Sequence, residues 1–221
     1  MVKQKSVFWQ ALILTIIVFL LGVALGYFLE TGRIDEIKEE YAKLETEWAD
    51  SRLANIYYQN LDPKYCDYAI QQNLIFGDKI YQQGLKIDKY EKAAPFTEKN
   101  IQLERKRYGL FKTEFLFNSL ALKERCNANY DILIYFFAAN PTVEEQSAQG
   151  VQSRILEQLK EEKGSNLMLI PLPTDLDISV IKLFIESQNI TSTPAILINE
   201  KIKLEGVRSI EDISNAIKKN P

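Results

Sequence analysis

The chain has 221 residues with 27 basic and 30 acidic side chains, a formal net charge of -3, two cysteines and no histidine. Without histidine, Ser-His-Asp and Cys-His catalysis and His-ligated metal sites are excluded, and two cysteines cannot supply a four-thiolate site. The slightly acidic balance argues against a nucleic-acid partner, which needs a basic face, and an apolar share of 46% marks a largely globular chain.

Val7 to Leu29, VFWQALILTIIVFLLGVALGYFL, carries no charge, and Gln10 and Thr15 are its clearly polar residues. About 20 such residues in a helix span a bilayer core of about 30 Å. Trp9 and Tyr27 stand near the two ends, where amphipathic rings favour the interface. The expectation is a transmembrane helix over 7–29 behind a cytoplasmic tail over 1–6. A cleaved signal peptide is the rival, with Lys3 and Lys5 as its basic region and Ala24-Leu25-Gly26 as the cleavage site. The apolar run exceeds the roughly 7–15 residues of such a segment. Basic residues before the span, set against mixed charge after it, favour a single-pass protein of the cell membrane. Its amino terminus would be cytoplasmic and the rest extracytoplasmic. Gly22 and Gly26 match the small-residue motif of packed spans, although glycine is common in spans generally.

Residues 30–128 read as a helical stalk followed by a helical hairpin. From Arg33 to Asn60 the chain is rich in Glu, Lys, Ala and Leu and lacks an internal proline or glycine. Ile34, Ile37, Tyr41, Leu44 and Trp48 form one apolar stripe that needs a partner, either elsewhere in this chain or on a second copy. Asp62-Pro63 ends the run. A second helix is expected from Pro63 to Ala93, weakened but not ended by Gly77 and Gly84. Ala94-Pro95-Phe96 forms the turn and Thr97 caps a third helix. Ile101, Tyr108, Phe111, Phe115 and Leu122 follow heptad-like spacing along it to about Lys123. Two similar helices around a tight turn should lie antiparallel. Cys66 and Cys126 then fall at the same height, at the open end of the hairpin. That geometry favours a structural disulfide over two buried free thiols, and such a bond belongs to an oxidising compartment.

The pattern changes over 129–221. Asp131 to Phe137 is an apolar run of strand length, as expected of a strand covered on both faces. A helix follows over Thr142–Lys163 and stops before Gly164. Glu144 and Glu145 suit its positive end. A strand over Leu167–Leu172 precedes a helix over Asp177–Gln188, with Ile178, Ile181, Leu183 and Ile185 toward the core. A strand over Thr193–Asn199, a turn at Glu200-Lys201, a strand over Ile202–Glu205 ending at Gly206, and a Ser209-capped helix complete a βαβαββα order. The whole chain is therefore α+β.

That order, with Asn189-Ile-Thr-Ser-Thr-Pro-Ala-Ile-Leu-Ile-Asn199 opening the third strand and Lys203-Leu204-Glu205-Gly206 after it, resembles the thioredoxin-like family. The resemblance covers about Tyr130 to Lys219. It implies that Pro194 is the cis-proline lying against the family's redox loop, with Thr193 beside it. It aligns Asn140, Pro141, Thr142 and Val143 with the Cys-x-x-Cys loop. No cysteine lies between Asn127 and Pro221, so thiol–disulfide exchange has no nucleophile there. No catalytic residue, metal or cofactor is assigned. The resemblance implies a groove lined by Asn140, Thr142, Thr193 and Pro194 that holds an extended peptide of a partner protein. Asn140-Pro141-Thr142 fails as a glycosylation acceptor because proline is in the middle, whereas Asn189-Ile190-Thr191 matches and is read as part of the helix end.

Three functions stay open. The first is a non-enzymatic, membrane-anchored adaptor or folding-assistance module. The second is a redox protein using Cys66 or Cys126, and the third is a spacer that self-associates through its helices.

Overall fold

The computed structural model describes residues 4–58, 63–93 and 98–219, with the side chains of 4–6 and 30 left out and those of 33–58 and 86–104 described in part. The chain divides into two compact units, Met1–Asp50 and Ser51–Pro221.

Helix α1 runs without interruption over Gln4–Tyr58, so the span and the helix expected after it are one element. Within it Val7–Leu29 is exposed throughout and is long and apolar enough to cross a membrane. Thr15 and Thr31 satisfy their hydroxyls on the carbonyls of Ala11 and Tyr27, one turn back, and so add no free polar group. The side chains of Ile34, Ile37, Tyr41, Leu44 and Trp48 lie outside the described residues.

The second unit takes in the end of α1 from Ser51, then a 3-10 turn at Pro63–Tyr65, α2 (Cys66–Ala93) and α3 (Glu98–Cys126). Ala94-Pro95-Phe96 and Thr97, the expected turn and cap, lie outside the described residues. The hairpin is nonetheless in one register. Cys66 pairs with Cys126, Asn73 with Ser119, Gly77 with Phe115 and Gly84 with Tyr108, and all four pairs share Phe96 as their midpoint in sequence. A Cβ on Gly77 would stand 3.0 Å from Cζ of Phe115, and one on Gly84 would stand 2.7 Å from the Tyr108 hydroxyl. Glycine at these positions admits the rings of α3. Tyr108, Phe115 and Leu122 are buried, and Phe76 meets Phe111 and Phe115 edge-on at 5.7 Å.

The sheet follows as β1 (Asp131–Phe137), α4 (Val143–Lys163), β2 (Leu167–Pro173), α5 (Ser179–Ser187), β3 (Ala195–Ile198), β4 (Ile202–Glu205) and α6 (Ile210–Lys218). Its strand order is β2-β1-β3-β4. β1 is parallel to β2 with Asp131 opposite Leu167, and antiparallel to β3 with Leu133 opposite Ile198. β3 and β4 form an antiparallel hairpin. Its turn centres on Asn199 and Glu200, both at positive φ, one residue earlier than the sequence suggests. The architecture is α+β, with six α-helices and a mixed four-stranded sheet among the described residues.

Both faces of β1 are covered, which explains its unbroken apolar run. Leu133 and Tyr135 pack with Leu156 and Leu159 of α4 and Ile213 and Ile217 of α6. On the other face Phe136 meets Phe184 of α5, which also meets Phe117 of α3 at 5.5 Å. The expected inward set on α5 needs one correction. Leu183 is 67% exposed and Phe184 is buried. Residue 183 is two positions beyond the buried Ile181, about 200° around the helix, whereas 184 follows the three-residue step.

The hairpin docks on the sheet through β2. Asn73 donates to Ser119 at 3.0 Å and approaches the Met168 sulfur at 3.9 Å. Lys160 of α4 donates to Asp78 of α2 and to the Leu167 carbonyl, both at 2.9 Å, while Ser165 donates to the other Asp78 oxygen at 3.1 Å. β2 is an outermost strand. The Thr174 amide donates to the Phe137 carbonyl, so even-numbered residues turn their amides toward β1 and odd-numbered ones turn theirs outward. Pro171 and Pro173 hold two of the outward positions, where proline costs no ladder bond.

Candidate functional site

The loop from β1 to α4 occupies the carboxyl end of the central strand, the position where α/β sheets place ligand sites. Asn140 and Thr142 are exposed, Pro141 is half-buried, and Val143 is 87% exposed. Each backbone N–H from Ala138 to Thr142 has an internal partner. The Gln149 amide, oriented so that both its atoms are satisfied, accepts from the Ala138 N–H at 2.9 Å and donates to the Ala138 carbonyl at 3.2 Å. The carboxylate of Asp175, from the loop after β2, accepts from the amides of Ala139 and Asn140, the latter at 2.8 Å. It also accepts from the Asn140 side chain at 3.1 Å. Pro141 has no N–H. The Thr142 amide donates to Glu145 at 2.8 Å, and the Glu145 amide returns to the Thr142 hydroxyl, closing a capping box.

The Glu145 carboxyl is also influenced by the Thr193 side chain of the strand-opening loop. It is held below the usual carboxylate value, chiefly by the Thr142 backbone bond and then by the Thr142 and Thr193 side chains. Thr193-Pro194 is a cis peptide. Pro194 is buried, and its carbonyl accepts from the Gly206 amide at 2.8 Å. Asp175 thus holds Asn140 and Glu145 holds Thr142; the sequence reading placed Glu145 at the helix start for its charge and did not single out Asp175. Asp175 lies 35 residues beyond Asn140. Only the adjacency of β1 and β2 brings it there. Glu145 was legible as the fourth residue of a Thr-x-x-Glu box.

The chemistry this loop can do is narrow. It has no thiol, and its amides from Ala138 to Thr142 are bound internally, so those groups form no free oxyanion donor set. Among the described residues no group of three or more Cys, Asp or Glu converges to hold a metal ion. Beneath the loop, Lys112 of α3 is buried with its ammonium over the rings of Tyr108 at 4.6 Å and Phe137 at 5.9 Å.

Cys66 and Cys126 form a disulfide with Cα atoms 5.5 Å apart. They do not belong to this site. Cys126 precedes β1 and Asn140 follows it. A seven-residue strand places the two ends about 20 Å apart.

No family model and no curated protein matches the chain. Among the solved structures similar over part of it are three with a TM-score of 0.34 each. A malarial protein shares 22% identity over 41% of this chain and 97% of its own. Thioredoxin-2, described as a component of the malaria parasite's protein secretion machinery, shares 22% over 43% of this chain and 91% of its own. Chloroplastic thioredoxin z shares 16% over 44% of this chain and 83% of its own. At such identities and scores none of these likenesses bears on activity.

Proposed function

We propose that residues 129–221 are a thioredoxin-like module kept for binding rather than for redox chemistry. In this reading Val7–Leu29 tethers the chain to the cell membrane, with the carboxy-terminal part outside the cytoplasm. The module holds an extended segment of a partner protein beside Thr193-Pro194, as an adaptor or folding-assistance element. The observation that carries the reading is the state of the loop at 140–143. It has no thiol, and every amide of 138–142 that exists is bound within the protein. A rigid, satisfied loop is suited to shape recognition and not to turnover. The disulfide at the far end of β1 supports an oxidising location.

The test is a thiol–disulfide assay on the detergent-solubilised full chain. Insulin reduction and dithiol oxidation should stay at background. Restoring cysteines with Asn140→Cys and Val143→Cys should bring activity up from that background if the scaffold is otherwise competent. Turnover by the natural chain would overturn the reading.

A further inference from the structure

The segment Asn189-Ile190-Thr191 carries a feature that the module itself does not use. Asn189 follows the last turn of α5 at φ 51°, the left-handed region that suits asparagine or glycine. Its amide donates to the Glu186 carbonyl at 3.1 Å, and the Ile190 amide donates to Ile185 at 3.0 Å. Its carbonyl accepts from the Lys203 ammonium at 2.7 Å. Ile190 is buried and anchors the loop. The backbone of Asn189 is therefore fully employed in ending the helix, and glycine would serve that role as well. The side chain is exposed, and among the described residues it makes no hydrogen bond. Thr191 stands two residues on, also exposed, with its hydroxyl on Glu205 at 3.3 Å. What the structure presents is a carboxamide held out in solvent on a surface loop, in an Asn-x-Thr triplet without proline. The other Asn-x-Thr triplet, at Asn140, has proline in the middle and its amide bound to Asp175.

We infer that Asn189 is an N-glycosylation site, taking an oligosaccharide from a lipid-linked sugar (pyro)phosphate donor. In that step the Asn189 Nδ2 bonds to the anomeric carbon of the first sugar and gives up one proton. The bond from that carbon to the phosphate oxygen breaks, and the lipid (pyro)phosphate leaves with the electron pair. No oxidant or reductant takes part. A glycan here stands four residues before Thr193, at the edge of the groove proposed above, and restricts which segments can approach it. The inference rests on the extracytoplasmic placement in that proposal, and the disulfide reports the placement independently.

The experiment is peptide mass spectrometry on the full chain extracted from the membranes of its own cells. The tryptic peptide 183–201 contains Asn189 and, as an internal control, Asn199 followed by Glu200. The expected result is a sugar mass on Asn189, none on Asn199, and a Cys66–Cys126 linked peptide in the same sample. The mass should vanish in Asn189→Gln and Thr191→Ala and persist in Thr191→Ser. A chain with its disulfide formed and peptide 183–201 wholly unmodified overturns the glycosylation inference alone. A chain with both thiols free and no sugar overturns the extracytoplasmic placement along with it.

Discussion

Gly77 and Phe115 are a fitted pair, because the ring of one stands where a side chain on the other would have to be. The 3.0 Å approach leaves no slack, since Phe115 is 1% exposed and is held edge-on by Phe76. The same holds one heptad on, where Gly84 faces the buried Tyr108 hydroxyl, itself donating to the Ile80 carbonyl.

Gly77→Ala and Gly84→Ala should therefore each destabilise the protein by about 1–3 kcal/mol, the range for overpacking a filled interior. Gly150→Ala is the contrast. Gly150 is exposed inside α4, and nothing lies within 4 Å of where its Cβ would be. That change should stabilise by about 0.5–1 kcal/mol through helix propensity alone. Urea unfolding of the solubilised chain, followed by far-UV circular dichroism, checks both signs.

The disulfide closes a loop with a sequence separation of 60. Replacing both cysteines with serine should cost about 4 kcal/mol by the chain-entropy account. The same unfolding measurement, made with and without a reducing agent, should show the natural chain losing this stability and the serine variant unaffected.

Asp175→Ala should release the loop without opening the sheet. Removing the carboxylate frees the amides of Ala139 and Asn140, which water can partly satisfy, so the loss of stability should stay near 1 kcal/mol. Hydrogen exchange should accelerate at those two amides and stay slow across β1 and β3.

The two capping boxes should respond to acid. Glu145 and Asp212 are both held below their ordinary values. The Thr142 backbone bond is the main cause for Glu145, and the Ser209 side-chain bond is the main cause for Asp212. A carboxyl depressed in the folded state stabilises above its unfolded value, about 4 for these groups, and loses that contribution as pH falls through the lower folded value. The first turns of α4 and α6 should fray below about pH 4. The amide resonances of Thr142 and Ser209 report this directly, and in Glu145→Gln the Thr142 amide should cease to titrate.

Much of this architecture was legible in residue order because its signals are local. The apolar run Asp131–Phe137, the Thr142 and Ser209 caps and the heptad spacing of Tyr108, Phe115 and Leu122 each arise within a few residues. The positions of Cys66 and Cys126 followed from helix rise alone. What escaped was set by partners distant in sequence. Gly77 and Gly84 read as weak points in a helix, and only the facing rings of α3 explain them. Asp175 reads as one acid among many until the parallel pairing of β1 and β2 carries it to the amides of Ala139 and Asn140. Leu183 reads as inward because hydrophobicity alone does not mark the face of a short helix. Phe184, next to it, supplied the contact.

The two imino residues on the outer strand matter wherever copies of this chain meet edge to edge. An outermost strand with all its donors intact would template a neighbour's strand and grow into a ribbon. With Pro171 and Pro173 in place that ribbon lacks two of its four outward donors, at the end of the strand beside the loop, and the edge is a poorer template.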